Sequence, residues 1–390
     1  MTVEGAALDM TVVWHEDCLL HEPSGEVWLG VREDGTEVPE RASVILARLA
    51  AAGATVIAPE QHDEAALLAV HDAALVNHLA AIWAEWEAGR YLADYGRDRV
   101  VPYVFPTSAM LAGLPIRSPA ATHGRVGAFC YDTMTLVGPG SWEAIRAAAD
   151  SARTAATLVA GGLQAAYALC RPPGHHAGPA GYGGSCYLNN AAIAAQALRE
   201  AGAARVAVID IDAHHGNGTQ AIFYERSDVL YGSVHVDPGA GWFPHYMGFA
   251  DERGAGAGHG ANRNIPLAPG SGDDVWLAAI DQLCADVRAS GADSVVVSLG
   301  VDAAAADPES PLQVSADGYR TAGEMIGRLG PVAAIQEGGY DLSSLADYVL
   351  ATLTGMAAGR AQADTGQSDN RAQAKRDRHG QANDSALAGS

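Results

Sequence analysis

An open, doubly wound α/β sheet, mostly parallel and flanked by helices, is the fold class predicted by the 390-residue sequence. Three observations carry it. Short β-rich runs alternate with Ala-rich helical patterns along the chain. The β-rich runs are apolar almost throughout, as strands covered on both faces must be. Hydrophobic residues make up 48% of the chain against 18% charged, enough to fill a large core and too many for a disordered chain.

The elements follow in order. Val12–Trp14 and Thr55–Ala58 read as strands around a helical pattern at Arg41–Ala51. The apolar run Ala165–Leu169 precedes a Gly- and Pro-rich turn, and Val206–Asp212, Val229–His235, Val295–Leu299 and Val332–Gln336 continue the strand series. Trp142–Val159, Asn189–Arg199, Val275–Ala289 and Asp317–Arg328 supply the crossover helices that parallel strands need. Between Arg90 and Gly140 no period is clear, and Pro, Gly and isolated aromatics prevail. A loop that long inside a compact domain is usually functional. From about Arg360 the texture turns to Gln, Asp, Ser and Ala with almost nothing to bury. The expected organisation is therefore one domain over residues 1–358 and a disordered tail over 359–390.

Charge narrows the partners. Acidic residues outnumber basic ones 46 to 24, a net charge of −22 that would still be −8 with all 14 histidines protonated. Such a field repels nucleic acid and anionic membrane and favours a cationic small molecule. No apolar run approaches the ~18 residues that span a bilayer. Glu4 and Asp9 stand where a signal peptide wants basic residues, so a cytoplasmic protein is expected. The five cysteines are odd in number, scattered and without a C-x-x-C pair, which points to reduced, buried thiols.

The chemistry concentrates at the ends of predicted strands. In VAVIDIDAHHGNGT, Val206–Thr219, a period of two sends Asp210, Asp212 and, if the extended geometry persists, His214 to one side, where open α/β sheets place their ligands. Singly, an Asp there caps a helix and a His fills a surface or core position. Together, two carboxylates and an imidazole suit a divalent metal, and burying them without a cation would be costly. The turn RPPGHHAG presents His175 and His176 to one small volume, imidazole being the usual general base near neutral pH. Two further strand ends add Asp302, in SLGVDAAAADP, and Tyr340, in IQEGGYD.

With ALCRPPGHHAG, GGSCYLNNAAIAAQ, HHGNGTQAIFYERSDV, FPHYMGFADERGAGAG, VVSLGVD and EGGY in that order, the chain resembles the zinc-dependent deacetylase family of histone deacetylases and bacterial acetylpolyamine amidohydrolases, over about Val12–Gly355. The likeness is closer to the amidohydrolase branch. It implies the arginase/deacetylase fold and hydrolysis of an N-acetyl or N-acyl amide of a small amine, polyamine-like compound or acyl-lysine by metal-activated water. By the same resemblance Asp212, His214 and Asp302 hold one Zn²⁺. His176 moves the proton, with Asn217 beside it. Asp210 orients His175, and Tyr340 stabilises the oxyanion.

The resemblance also implies structural K⁺ near Asp210, Asp212, His214, Ser233 and Val234, and again near Phe223, Arg226 and Val229. Gly184, Ser185, Trp242, Phe243 and His123 fall at substrate-binding positions. Two of these depart from the family pattern: Ser185 stands where an aromatic usually flanks the tunnel, and His123 where polyamine-specific relatives carry an acid. Relatives that close their site by dimerisation use the region of Arg90–Gly140, so a homodimer is compatible with the likeness. The alternatives are an arginase-like binuclear manganese ureohydrolase, for which the paired acids are missing, and a non-catalytic acyl-amide binding protein, for which a catalytic residue would have to be missing.

Overall fold

The computed structural model describes residues 8–363. Its strands are β1 (Thr11–Val13), β2 (Glu26–Trp28), β3 (Val31–Glu33), β4 (Thr55–Ile57), β5 (Ala165–Ala168), β6 (Val206–Asp210), β7 (Val229–Val236), β8 (Asn262–Leu267), β9 (Ser294–Leu299) and β10 (Val332–Gln336). β2 and β3 form an antiparallel hairpin. The other strands make one eight-stranded sheet in the order β4-β1-β5-β10-β9-β6-β7-β8, every neighbouring pair parallel. All strand C-termini therefore lie along one edge.

Alternation decides which helices each strand residue meets. Val206 and Val208 pack into one core with the helices Ala73–Ala88, Ser141–Ala160 and Asn190–Glu200, while Ala207 and Ile209 pack into a second with Glu40–Ala51, Asp273–Ser290 and Ala316–Gly327. In Ser141–Ala160 the inward stripe is mostly alanine: Ala144, Ala148, Ala152, Ala155 and Ala156 are all buried, which lets the helix lie close to the sheet. The Asn189 side chain accepts the Ala192 N–H and caps the helix Asn190–Glu200 at 2.9 Å.

Three features differ from the sequence reading. The edge strand β8 was not anticipated, because Asn262, Asn264 and Pro266 break the apolar pattern; an outermost strand tolerates them. The helix Ala73–Ala88 was missed because alanine on every side weakens its periodicity, although Leu75, Val76, Leu79, Ile82 and Trp86 are buried. The assigned domain end is also too early. A helix over residues 345–363 continues through 359–363, and the rest of the expected tail, 364–390, lies outside the described residues.

That last helix is held by glycine. A Cβ at Gly355 would run into the Arg320 carbonyl and one at Gly359 into the Glu324 carbonyl; Gly323 and Gly327 approach the backbone at Thr352 and Met356 in return. Two helices thus meet backbone to backbone. Gly355→Leu should cost at least ~2 kcal/mol by forcing the helices apart, whereas Ala358→Leu on the exposed face should be near neutral, both read from urea midpoints.

Candidate metal and catalytic site

The four central strands β5, β10, β9 and β6 each deliver part of the site at the same sheet edge. β6 ends at Asp210, and Asp212 and His214 follow in irregular backbone. The extended geometry does not persist as strand, yet the side chains still converge. Ligand atoms of Asp212, His214 and Asp302 all lie within 4.8 Å of one another, with Asp302 arriving from beyond β9. His214 Nδ1 lies 3.0 Å from Asp302 Oδ2 and 3.4 Å from Asp212 Oδ1.

The carboxylates are fixed by backbone donors. Ala213 N–H donates to Asp302 Oδ1 at 2.7 Å, His214 N–H to Asp212 Oδ1 at 2.9 Å and Gly338 N–H to Asp212 Oδ2 at 2.9 Å. Position 338 needs glycine, since a Cβ there would lie 2.5 Å from Asp302 Oδ2 and 2.6 Å from Asp212 Oδ2. Asp210 accepts from Asp212 N–H and from the Tyr231 hydroxyl, and its Oδ2 faces His175 Nδ1 at 3.1 Å.

This donor set fits a divalent cation. Asp212 and Asp302 are buried side by side; burial, and then the charge of Asp212, push the Asp302 carboxyl up. Burial opposes charging of His214, but its hydrogen bonds to Asp212 and Asp302 outweigh that and raise it. Without a cation the crowded carboxylates thus draw protons onto Asp302 and His214, a place a divalent ion would take in a carboxylate–imidazole set typical of zinc and its neighbours.

The tandem histidines come from the loop after β5, their rings 3.9 Å apart. His176 Nδ1 lies 2.7 Å from Asn217 Oδ1. The amide orientation follows from its other partner: the Tyr131 hydroxyl donates to the His176 carbonyl and so accepts from Asn217 Nδ2. Nδ1 therefore carries the proton and Nε2 keeps its lone pair. Burial, reinforced by the neighbouring His175, holds His176 well below its usual pKa. For His175, burial is outweighed by Asp212 and Asp210, which raise it to about 10.

A second group, His175, Cys186 and Glu337, also brings ligand atoms together, contrary to the expectation of a single set. Its carboxylate is already engaged: Glu337 accepts Gly174 N–H at 2.6 Å, His175 N–H at 3.1 Å and the Ser298 hydroxyl at 3.3 Å. Burial pushes the Cys186 thiol well up, away from the thiolate a metal would need. This group is a hydrogen-bonded brace under the histidine loop. Glu337 and Tyr131 were missed as site residues, although Glu337 lies inside IQEGGYD, quoted above, and Tyr131 inside the aperiodic region Arg90–Gly140.

Tyr340 follows β10 on a turn whose Gly339 has φ +121°. Its N–H donates to Asp307 at 2.6 Å, and the Arg41 guanidinium lies 4.7 Å from the ring centroid. Burial, then the carboxylates of Glu309, Asp302 and Asp212, push the phenol well up, so it stays a donor.

The substrate-binding positions divide. Phe243 meets His176 edge to face at 4.7 Å, and a Cβ on Gly184 would touch both rings, so Gly184 and Phe243 border the site. Ser185, next to Gly184, has φ 60° and donates its N–H to Thr135 Oγ1. Trp242 instead packs half-buried against the core that contains Leu267 and Val236. His123 sits apart: its Nδ1 is 2.8 Å from the Tyr91 hydroxyl in a pocket lined by Trp86, Tyr95 and Tyr103, which shares no lining residue with the metal set. Of the positions implied for K⁺, Asp210 and Ser233 pair in register, with Val234 next on β7, whereas the Phe223 carbonyl accepts Arg226 N–H just before Val229. All five cysteines are free and buried, as expected. No helix among the described residues is long and apolar enough to cross a membrane.

Comparison with known proteins places this geometry. Residues 35–356 match the histone deacetylase domain family. The chain is 43% identical over 348 residues to acetylpolyamine amidohydrolase 1 of Pseudomonas aeruginosa, covering 89% of this chain and 98% of that protein. It is 40% identical over 350 residues to the acetylpolyamine amidohydrolase of Mycoplana ramosa, covering 89% and 100%. The crystal structure of an acetylpolyamine aminohydrolase from Burkholderia pseudomallei superposes with a TM-score of 0.83 at 40% identity, covering 90% of this chain and 99% of that one.

The His176–Asn217 contact gives a prediction. A carboxylate in place of the amide stabilises the imidazolium, so Asn217→Asp should raise the His176 pKa by about one unit or more in an NMR titration. An unchanged value would show that this contact does not set the protonation of His176.

Proposed function

The chain belongs to the histone deacetylase family and is a deacetylase of acetylated amines, and from that premise we propose that it hydrolyses its amide at a single Zn²⁺ site made by Asp212, His214 and Asp302. The observation that carries this reading is the convergence of those three buried groups beside an imidazole with its Nε2 free. Asp212, His214 and Asp302 would hold a zinc ion, with Fe²⁺ or Co²⁺ as alternatives, and the bound ion would supply Lewis acidity toward water and the acyl carbonyl.

The residues do the rest. His176 is the proton carrier: neutral, with Nδ1–H committed to Asn217, it takes a proton at Nε2 and returns it to the leaving amine. Asp210 fixes the ring orientation of His175. Tyr340 donates its hydroxyl proton as a hydrogen bond to the carbonyl oxygen as negative charge grows there. Phe243 and Gly184 form the wall beside His176 and leave room for a narrow acyl chain. Structural K⁺ at Asp210, Asp212, His214, Ser233 and Val234, and at Phe223, Arg226 and Val229, belongs to the same proposal. A homodimer through the region of Arg90–Gly140 does too, supported by exposed Tyr95, Tyr103, Met110, Leu114 and Ile116.

The substrate is an acetylated or acylated small amine. The relatives are named for acetylpolyamines, but Ser185 in place of an aromatic opens one side of the site, while His123, where an acid was expected, lies in a separate aromatic pocket. The binuclear ureohydrolase and the non-catalytic binding protein give way to the deacetylase identity of the family and of near-full-length relatives.

If Tyr340 acts on the transition state, Tyr340→Phe should lower kcat at least about tenfold with metal content and KM nearly unchanged; wild-type turnover would exclude that role. Acetylputrescine, acetylspermidine, an acetyl-lysine peptide and an aromatic N-acetyl amide should be compared in kcat/KM. The aromatic amide should compete within about tenfold of the polyamines, and Ser185→Tyr should shift the ratio toward them. A wild-type preference for acetylpolyamines above about a hundredfold would overturn this reading of specificity.

A further inference from the structure

The sheet edge opposite the metal ligands carries the reverse charge. A cavity of about 550 Å³ opens there between the start of β8, the loop 253–261 and the C-terminal end of the helix Asp273–Ser290. Arg205, Arg253, Arg263 and His259 line it, with Asp286 the one carboxylate among the lining residues. Three guanidiniums against one carboxylate make a locally positive cavity in a chain of net charge −22.

Two of these cations, Arg253 and Arg263, are poorly satisfied by the protein. Most of the described arginines lie against a carboxylate, as Arg32 does on Asp98 and Arg199 on Asp228. Arg253 has no side-chain hydrogen bond or ion pair among the described residues. Arg263 Nε is buried without a hydrogen bond, and its nearest carboxylate oxygen, Asp286 Oδ2, is 3.5 Å away, too long for a good one. Arg205 is different: its guanidinium donates to the Ser290 carbonyl at the helix end, where a cation is favoured, so Arg205 alone needs no ligand. The space between the long side chains persists because Ala257, Gly260 and Ala261 line it too; a Cβ at Gly260 would meet nothing.

We propose that this cavity binds a small anion carrying a diphosphate group, which Arg253 and Arg263 grip through bidentate hydrogen bonds while Arg205 and His259 close the flanks. Planar guanidinium forks match phosphate oxygens in pairs, and a volume of this size exceeds what one phosphate fills. Repulsion from the catalytic carboxylates is weak there. β6 separates the two edges by five residues, about 17 Å at the usual rise, a distance that itself weakens the repulsion.

The test is isothermal titration of the full-length, metal-loaded protein at about 0.15 M NaCl with inorganic pyrophosphate and, separately, with ADP. Both should saturate one site at a Kd below about 1 mM, and R253E should weaken both at least about tenfold while leaving deacetylation of an acetylated amine within about twofold. Pyrophosphate also chelates divalent metal, and R253E leaves that chelation untouched, so the difference between the two proteins isolates this site. Tighter binding of ADP than of pyrophosphate would identify a nucleotide as the source of the diphosphate, and equal binding a free phosphate compound; either supports the site. No saturable binding of either up to about 10 mM, or equal binding by R253E, overturns it.

Discussion

Four carboxylates buried at one sheet edge, Asp210, Asp212, Asp302 and Glu337, are the constraint on which the rest of this structure depends. Each is at most 1% exposed, so none is solvated by water in any ordinary sense. Like charges held that close in a low-dielectric interior are unfavourable unless hydrogen bonds and a counter-charge offset them. The surrounding loops are organised to supply both.

Each carboxylate consequently ties chain segments remote in sequence. Asp302, after β9, accepts from Ala213 after β6; Asp212 accepts from Gly338 after β10; Glu337 accepts from Gly174 and His175 after β5. The parallel sheet makes this possible, because only in an all-parallel arrangement do four adjacent strands deliver their C-terminal loops to one place. The same groups that would hold a cation thus also hold the loops that carry His176 and Tyr340. Folding of the site and its chemistry use one set of bonds.

Much of this was legible in the chain itself. The spacing of Asp210, Asp212 and His214 after an apolar run announces a polar strand end, and the paired His175 and His176 in a Gly- and Pro-rich turn announce a second. The strand series is legible because buried parallel strands are apolar throughout. What stayed hidden depends on contacts that no local pattern encodes. Nothing in the local sequence around Glu337 signals that a partner lies 163 residues away at Gly174. β8 is polar because Asn262 and Asn264 turn their amides onto Gln220 and the loop at Glu252. The orientation of Trp242 into the core and the seat of His123 among aromatics depend on how an irregular loop folds back on the sheet, which has no periodicity to read.

The central claim is that Asp212, His214 and Asp302 converge on one divalent ion. The direct measurement is metal analysis of the purified protein by inductively coupled plasma mass spectrometry, paired with anomalous diffraction at the zinc edge. One transition-metal ion per chain, with its anomalous peak among Asp212, His214 and Asp302 and lost in Asp302→Ala, is the result expected. Two ions within about 4 Å of each other, or a single ion at His175, Cys186 and Glu337 instead, would contradict it.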